Sequence, residues 1–209
     1  MMRLTELLKV LPLALAAILA GSVIFAANHT GTPVIPDGPE PEPVEIIVYS
    51  DLQCPICYRF YSEIEGEILT HYVMTGKASI EIRLIATVGP ESSLAAQAAF
   101  CAGEQGQFWQ YYDAVLAEWS QDGQAAYVQE RLQDVAADLG IDVETFNACL
   151  ASGRWQQVIE DNQVAADREG INLLPTVVIN GIKIEELQPL EEYVNVIEDQ
   201  LAGQPPAQS

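Results

Sequence analysis

The sequence predicts an α/β fold built on a strand–helix–strand unit and a late β-hairpin. Residues 44–49 are β-branched and almost continuously apolar, which is typical of a strand buried on both faces. Apolar residues then recur at every fourth position over residues 60–72, which indicates a helix that packs one face on that strand. Residues 80–85 form a second strand. Because a helical crossover usually joins parallel strands, we expect these two strands to pair in parallel.

The remainder of the chain is predicted to be helical up to a closing hairpin and helix. Amphipathic stretches follow the second strand, and Asp142 is suited to cap one of them. A further helix runs over about residues 155–168. Asn180-Gly181 separates two short β-branched runs, which is a strong hairpin signal. An amphipathic helix over about residues 190–201 completes the domain.

Composition and charge exclude several classes of function. The 209-residue chain carries 9 Lys+Arg against 30 Asp+Glu, a formal net charge of −21. Binding to nucleic acid or to an anionic lipid surface through charge needs a basic footprint, which this chain lacks. The only two histidines are His29 and His71, which speaks against a His-rich metal site and against a Ser-His-Asp triad.

The N-terminal 27 residues are predicted to direct export. Residues 10–27 are uncharged and rich in Leu, Ala and Ile, and Arg3 and Lys9 precede them. As a helix, eighteen residues span roughly 27 Å, the short end of what crosses a bilayer. We expect an uncleaved membrane anchor, with a cleaved signal and a secreted or periplasmic domain as the alternative. Either interpretation places the rest of the chain outside the cytoplasm, in the cell envelope.

The chain after this segment divides into a linker, one domain and a tail. Residues 28–43 contain five of the twelve prolines and are predicted to form an extended acidic linker. We expect the domain over residues 44–202, with a helical insertion at about residues 90–155, and a loose tail over residues 203–209.

The spacing of two of the four cysteines points to redox chemistry. Cys54-Pro55-Ile56-Cys57 lies where the first strand ends and the first helix begins. A thiol attacks a disulfide only as its thiolate, and Cys54 would face the unpaired amides and the positive dipole end of that helix. Pro55 suits the first helical turn, where its missing N–H loses no hydrogen bond. Cys57 lies one turn further on, where a resolving thiol is needed.

The chain resembles the DsbA-like thioredoxin family, in which a helical domain is inserted into a thioredoxin fold. The resemblance covers about residues 44–201 and rests on motifs in three regions: Asp51-Leu52-Gln53-Cys54-Pro55-Ile56-Cys57, Phe100-Cys101-Ala102 with Gln107-Phe108-Trp109, and Leu174-Pro175-Thr176 before Asn180-Gly181. It implies a thiol–disulfide oxidoreductase that donates disulfides through Cys54 and Cys57 and needs no separate cofactor. It also implies that Pro175 is a cis-proline beside the cysteines and that the backbone of Leu174 binds an extended substrate peptide.

The resemblance further implies partners and a redox strength. The substrates would be the thiols of exported proteins, and a membrane quinone-linked thiol oxidase would restore the disulfide. Strongly oxidising members carry a His where this chain has Ile56, and many members carry an acidic residue where it has Val48. The missing His and the acidic surroundings both weaken thiolate stabilisation. We therefore expect a milder oxidant than the strongest members of the family.

Alternatives remain for the cysteine pair. The protein could be a reductase or isomerase of the same fold, or a redox-inert binding module or chaperone in which Cys54 and Cys57 form a structural disulfide. Half of a zinc site is a weaker alternative, because zinc needs four ligands and Cys101 and Cys149 lack paired spacing. We therefore predict no metal.

Cys101 and Cys149 are expected to form a structural disulfide within the helical insertion. The Cys54–Cys57 motif accounts for the other pair, and an exported domain meets an oxidising environment. Two buried free thiols are the alternative.

The remaining candidates have ordinary structural interpretations. Asp51 is expected to be a loop or cap residue, with proton transfer as the alternative, and His71 is expected on the surface. We expect a solvated helix face from one group of carboxylates, Glu63, Glu65 and Glu67, and core packing from one group of aromatic residues, Phe108, Trp109, Tyr111 and Tyr112.

Overall fold

The computed structural model describes residues 42–203, apart from the side chains of residues 122 and 124. The predicted anchor or signal over residues 1–27, the linker up to residue 41 and the tail from residue 204 lie outside the described residues. In the part of the chain that is described, no helix is both long enough and apolar enough to cross a membrane.

A four-stranded mixed sheet forms the centre of the domain, in the order β2-β1-β3-β4. Its strands are β1 (Val44–Ser50), β2 (Ala78–Leu84), β3 (Thr176–Ile179) and β4 (Ile182–Glu185). β1 pairs in parallel with β2 and antiparallel with β3, which pairs antiparallel with β4. The predicted parallel pairing of the first two strands is confirmed.

Alternate residues of β1 pack on opposite faces of the sheet. Ile46 and Val48 belong to the larger core cluster, which also contains Phe60. Ile47 belongs to a smaller cluster with Ala166 on the other face. The prediction that the first strand is buried on both faces is therefore confirmed.

The hairpin between β3 and β4 turns at Asn180-Gly181, as predicted. The φ angles of these residues are 46° and 84°, and positive φ at both central residues is typical of the type I′ turn that matches the twist of a hairpin. The Asn180 side chain also accepts a hydrogen bond of 2.9 Å from the backbone amide of Glu45, which ties the turn to the start of β1.

One continuous helix follows β1 and covers residues 55–73. Two α-helical stretches, α1 (Pro55–Phe60) and α2 (Gly66–Ile68), alternate with the π-helical turns Tyr61–Glu65 and Leu69–Val73. A spacing of four residues drifts around an α-helix by about 40° per step, and the wider π turns offset this drift. The apolar stripe therefore stays against the sheet, and its members are all buried: Phe60, Ile64, Ile68 and Tyr72.

The rest of the domain consists of the helices between β2 and β3 and of one helix after β4. They are α3 (Ser92–Gly103), α4 (Phe108–Asp122), a 3-10 turn (Gly123–Tyr127), α5 (Gln129–Asp138), α6 (Val143–Ser152), α7 (Gln156–Arg168) and the C-terminal α8 (Leu190–Ala202). The predicted cap of α6 is present, since the Asp142 carboxylate accepts a hydrogen bond of 2.7 Å from the amide of Thr145. Asn162 of α7 donates to the carbonyl of Leu84, so α7 is tied to the end of β2.

Candidate active site

Cys54 caps the N-terminus of α1. Its backbone is extended, with φ −84° and ψ 115°, and its Sγ accepts a hydrogen bond of 3.2 Å from the backbone amide of Cys57. Pro55 is the first helical residue, as predicted. Cys54 and Cys57 are free thiols with 6% and 4% of their surfaces exposed. The sulfur of Cys54 therefore lies among the free amides at the start of the helix.

The surroundings of Cys54 favour its thiolate. A hydrogen bond from the Cys57 side chain is the largest influence, and the backbone amides of Cys57 and Ile56 act in the same direction. Burial and the Asp51 carboxylate act against them. Together these contacts lower the pKa of Cys54 to about 7, so a large fraction of Cys54 is ionised at neutral pH.

The surroundings of Cys57 favour its neutral thiol. Burial is the main cause of a strongly raised pKa, and the adjacent Cys54 adds to it. A backbone hydrogen bond from Asp51 and the Ser50 hydroxyl oppose the shift only partly. The two cysteines are therefore chemically different, because Cys54 is suited to attack or to leave and Cys57 holds a proton.

The peptide bond between Leu174 and Pro175 is cis. Thr176 follows it as the first residue of β3 and pairs with Tyr49 of β1. Pro175 therefore lies beside the end of β1, from which a short loop leads to Cys54. Pro175 is buried and Leu174 is partly buried. Two apolar side chains are exposed here, Ile56 in the first turn of α1 and Leu173 in the loop before the cis peptide bond.

The buried carboxylate of Asp51 organises the loop before the cysteines. Its Oδ1 accepts hydrogen bonds from the Gln53 amide at 2.9 Å and from the Ser92 hydroxyl at 2.7 Å. Its Oδ2 accepts from the amides of Thr87 at 2.8 Å and Val88 at 2.9 Å. Asp51 thus joins this loop to the loop after β2 and to the start of α3, in agreement with its predicted role as a loop residue.

Tyr127 also contributes to the site, and sequence reasoning did not identify it. It is fully buried at the end of the 3-10 turn, and its hydroxyl donates a hydrogen bond to the carbonyl of Leu52. Burial raises the pKa of Tyr127, and Asp51, Cys57 and Cys54 act in the same direction, which shows that the phenol lies near the site. An isolated Tyr in a helical segment carries no sequence signal for such a role.

Cys101 and Cys149 form a disulfide away from the free cysteines. The bond joins α3 to α6 across 48 positions of sequence, with the two Cα atoms 5.8 Å apart. Within residues 42–203, no group of three His, Cys, Asp or Glu side chains is arranged to hold a metal ion.

The predicted solvated carboxylate face is wrong at Glu65. Glu63 and Glu67 are exposed and pair with Arg59 and with the exposed His71. Glu65, in contrast, is 1% exposed. Its side of the helix is covered by α4, and the spacing of charges within one helix contains no information about that contact.

Comparisons with known proteins agree with the fold. A family model described as thioredoxin matches residues 31–199. The chain belongs to the thioredoxin family. The prediction of a DsbA-like member of this family is confirmed, with helices inserted between β2 and β3.

Individual relatives differ in how much of their length this thioredoxin-family chain matches. Disulfide bond formation protein D of Bacillus subtilis is 24% identical over 176 residues, 83% of this chain and 78% of that protein. The crystal structure of oxidised BdbD from Bacillus subtilis has a TM-score of 0.71 and 23% identity, and the match covers 78% of this chain and 89% of that one. The Na+/H+ antiporter NhaA 1 of Salinispora arenicola is 29% identical over 176 residues, 82% of this chain and 26% of the antiporter. The chain therefore spans about a quarter of the length of that antiporter.

Proposed function

We propose that the protein is an extracytoplasmic thiol–disulfide oxidoreductase that donates disulfides to exported proteins through Cys54 and Cys57. The observation that carries the proposal is the asymmetry of the pair, with a lowered pKa at Cys54 and a raised pKa at Cys57. The cis-proline at Pro175 and the similarity to disulfide bond formation protein D support it.

In the proposed reaction, the oxidised protein carries a Cys54–Cys57 disulfide. A substrate thiolate attacks the sulfur of Cys54, which breaks this bond, forms a mixed disulfide and releases Cys57. A second substrate thiolate then attacks the substrate sulfur and displaces Cys54. Two electrons pass from the substrate to the cysteine pair. Cys54 suits the leaving role because a thiol of lower pKa leaves faster.

The substrate is proposed to bind as an extended peptide beside the cis-proline. The backbone of Leu174 would hold this peptide, with Pro175 shaping the edge on which it lies. Exposed Ile56 and Leu173 offer apolar contacts on either side. We further propose that a membrane quinone-linked thiol oxidase restores the Cys54–Cys57 disulfide after each cycle.

The proposed location follows from the N-terminal segment and the second disulfide. Residues 10–27 would anchor the protein or act as a cleaved signal, residues 28–43 would form a linker, and residues 44–202 would form the domain, with the insertion at about 90–155 and a tail at 203–209. A buried Cys101–Cys149 disulfide suits an oxidising compartment. The domain should therefore fractionate with membranes and resist protease until the envelope is opened. If protease added to cells degraded the domain only after the cytoplasmic membrane had been lysed as well, this location would be contradicted.

Mixed-disulfide trapping tests the proposed activity. Cys57→Ala should accumulate reducible adducts with substrates, because Cys54 still attacks substrate disulfides and no resolving thiol remains. Cys54→Ala should yield none, and Pro175→Thr should lengthen the life of adducts in an otherwise intact protein. The control is Cys54→Ala/Cys57→Ala. Absence of adducts from a folded Cys57→Ala variant would favour the redox-inert binding module.

One observation favours a reductase or isomerase as the second candidate. The pKa of Cys54 is about 7. The reactive cysteine of thioredoxin also has a pKa of about 7, whereas that of the strong oxidant DsbA has a pKa of about 3.5. The redox state of Cys54 and Cys57 in cells separates the candidates, since a donor is kept oxidised and a reductase is kept reduced.

A further inference from the structure

Tyr49 joins three elements on the face of the sheet against which α7 packs. Its side chain is fully buried near the end of β1. Its hydroxyl donates a hydrogen bond of 2.9 Å to the Glu169 carboxylate and accepts one of 2.8 Å from the Arg83 guanidinium. Arg83 is the register partner of Tyr49 in β2, and Glu169 is the first residue after α7. These three residues are called the Tyr49 triad below.

Each member of the Tyr49 triad lies where a loop of the candidate site begins. β1 ends one residue after the tyrosine and leads to Cys54. β2 ends one residue after the arginine and leads to the loop of residues 85–91, which binds the Asp51 carboxylate. The glutamate begins the loop of residues 169–175, which ends at the cis-proline. The triad therefore connects the starting points of all three loops.

Tyr49 contacts both ends of the loop that carries the cis-proline. At the start of this loop its hydroxyl binds Glu169, and at the end its backbone is in register with Thr176 of β3. Between these ends, the side chains of Ile171 and Leu174 pack in the same apolar cluster as Tyr49. A phenylalanine ring would serve this packing equally well. What the hydroxyl adds is a polar link to the start of the loop.

The hydroxyl of the triad lies between charges of opposite sign. Hydrogen bonds to ionised groups are roughly twice as strong as those between neutral groups. The Arg83 guanidinium is also held by the Glu81 carboxylate, with N–O distances of 2.8 and 3.3 Å. The carbonyl of Glu169 accepts a hydrogen bond from the Lys183 ammonium of β4. Both partners of the hydroxyl are thus themselves fixed to the sheet.

We propose that the Tyr49 triad positions the cis-proline loop relative to Cys54 and thereby determines how well the protein binds peptides, in contrast to small dithiols. This inference rests on the proposed oxidoreductase function, in which an extended peptide binds along that loop. A peptide must contact the loop and the sulfur of Cys54 at the same time, whereas a small dithiol needs only the sulfur. The triad acts through the loops and not on the sulfurs, so its members are positioning residues and not catalytic residues.

Loss of the hydroxyl should allow the cis-proline loop to take several positions. The apparent affinity for a peptide falls in proportion to the fraction of molecules in which the loop is placed for binding. If this fraction falls to about a tenth, the peptide binds about tenfold more weakly. The maximal rate of the bound peptide should not change, because the surroundings of the two sulfurs are the same.

The reaction of the oxidised protein with two dithiols tests this proposal. One is a synthetic peptide that contains two cysteines, and the other is dithiothreitol. In each reaction the dithiol is oxidised to a disulfide while the Cys54–Cys57 disulfide is reduced to two thiols. Rapid acid quenching followed by thiol alkylation measures the reduced protein against time. Varying the dithiol concentration gives a second-order rate constant for each dithiol, and for the peptide also the half-saturation concentration and the maximal rate.

The peptide reaction should depend on the triad and the dithiothreitol reaction should not. Tyr49→Phe should lower the second-order rate constant of the peptide about tenfold, entirely through a higher half-saturation concentration. Glu169→Ala should do the same, whereas Glu169→Gln should keep most of the peptide affinity, because its amide oxygen can still accept the hydrogen bond. The double variant Tyr49→Phe/Glu169→Ala should match either single variant, since both changes break one interaction.

Tyr72→Phe is the matched control. The Tyr72 hydroxyl donates a hydrogen bond of 2.9 Å to the Glu198 carboxylate. Lys77 lies 5.8 Å from the centroid of the Tyr72 ring, as Arg83 lies 5.5 Å from that of Tyr49. This group lies by the start of β2, at the end of the sheet away from the cysteines. Tyr72→Phe should therefore react with both dithiols as the unchanged protein does, even if it lowers the urea midpoint as much as Tyr49→Phe.

The outcomes separate this inference from the proposed function. If the unchanged protein does not oxidise the peptide, the proposed donation of disulfides to proteins fails. If it does, and Tyr49→Phe and Glu169→Ala keep its peptide affinity or slow both dithiols by the same factor, the positioning role of the triad is overturned. Glu169→Ala keeps the test decisive if Tyr49→Phe does not fold, because the Glu169 side chain is 35% exposed and its removal leaves the core intact.

Discussion

Removal of the Cys101–Cys149 disulfide should destabilise the domain by about 4 kcal/mol. The bond links α3 to α6 across 48 positions. A cross-link restricts the unfolded chain, and the free energy of this restriction grows with the logarithm of the loop length, which for this loop gives about 4 kcal/mol near room temperature. Both cysteines are 1% exposed, so two alanines would also remove some packing. The expected loss of unfolding free energy comes mainly from the entropy of the unfolded chain, and the lost packing of the two side chains adds a smaller amount.

Urea unfolding measures this loss most directly in a background that lacks the other cysteines. Two proteins that both carry Cys54→Ala and Cys57→Ala would be compared, one of them with Cys101→Ala and Cys149→Ala in addition. With a slope of about 2 kcal/mol per molar urea, the midpoint should fall by about 2 M. Reduction of the first protein in denaturant is the control and should produce the same loss. A fall of less than about 0.5 M would refute the loop-closure argument.

Two further predictions concern titrating groups. Ile56→His should lower the pKa of Cys54 below its value of about 7 and make the protein a stronger oxidant, measured by thiolate absorbance and by equilibration with glutathione; an unchanged potential would contradict the predicted mildness. The pKa of Glu65 is about 8 in the folded protein, against an ordinary value of 4.5. Between pH 4.5 and about 8, the unfolded chain therefore releases a proton that the folded protein keeps. The free energy of unfolding consequently falls as pH rises through this range. Glu65→Gln should reduce this fall by an amount on the order of a few kcal/mol, measured by urea unfolding at several pH values, whereas Glu67→Gln should preserve it.

The elements that could be predicted from the sequence are those with local signals. Asn180-Gly181 determines its turn through the backbone preferences of two adjacent residues, and both have the positive φ that this turn requires. The almost continuous apolar run of β1 predicts burial on both faces, and Glu45, near its start, is the exposed exception. Cys54 lies at the start of its helix because Pro55 favours the first helical turn.

The parts of the site that sequence reasoning missed depend on contacts between distant elements. Glu65 is buried because α4 covers it, and the residues of α4 that influence its pKa, Tyr112 and Asp113, are more than 40 positions away in the sequence. Tyr127 reaches the loop before the cysteines across 75 positions. The π-helical turns rotate the residues that follow them relative to an ideal α-helix, so an α-helical projection cannot give the directions of these side chains. Such contacts have no signature in residue type or spacing.

The central place of β1 has a consequence for the order in which the chain is assembled. β1 is completed on one side only when β3 arrives, and the tie between Glu45 and Asn180 spans 135 positions. A chain that crosses a membrane or leaves a ribosome from its N-terminus therefore delivers Cys54 and Cys57 long before the strand that shelters them. Until β3 has been made, the thiol of Cys54 can react with disulfides of other molecules. The nascent chain can thus be a substrate for the same thiol–disulfide exchange that the folded domain is proposed to perform.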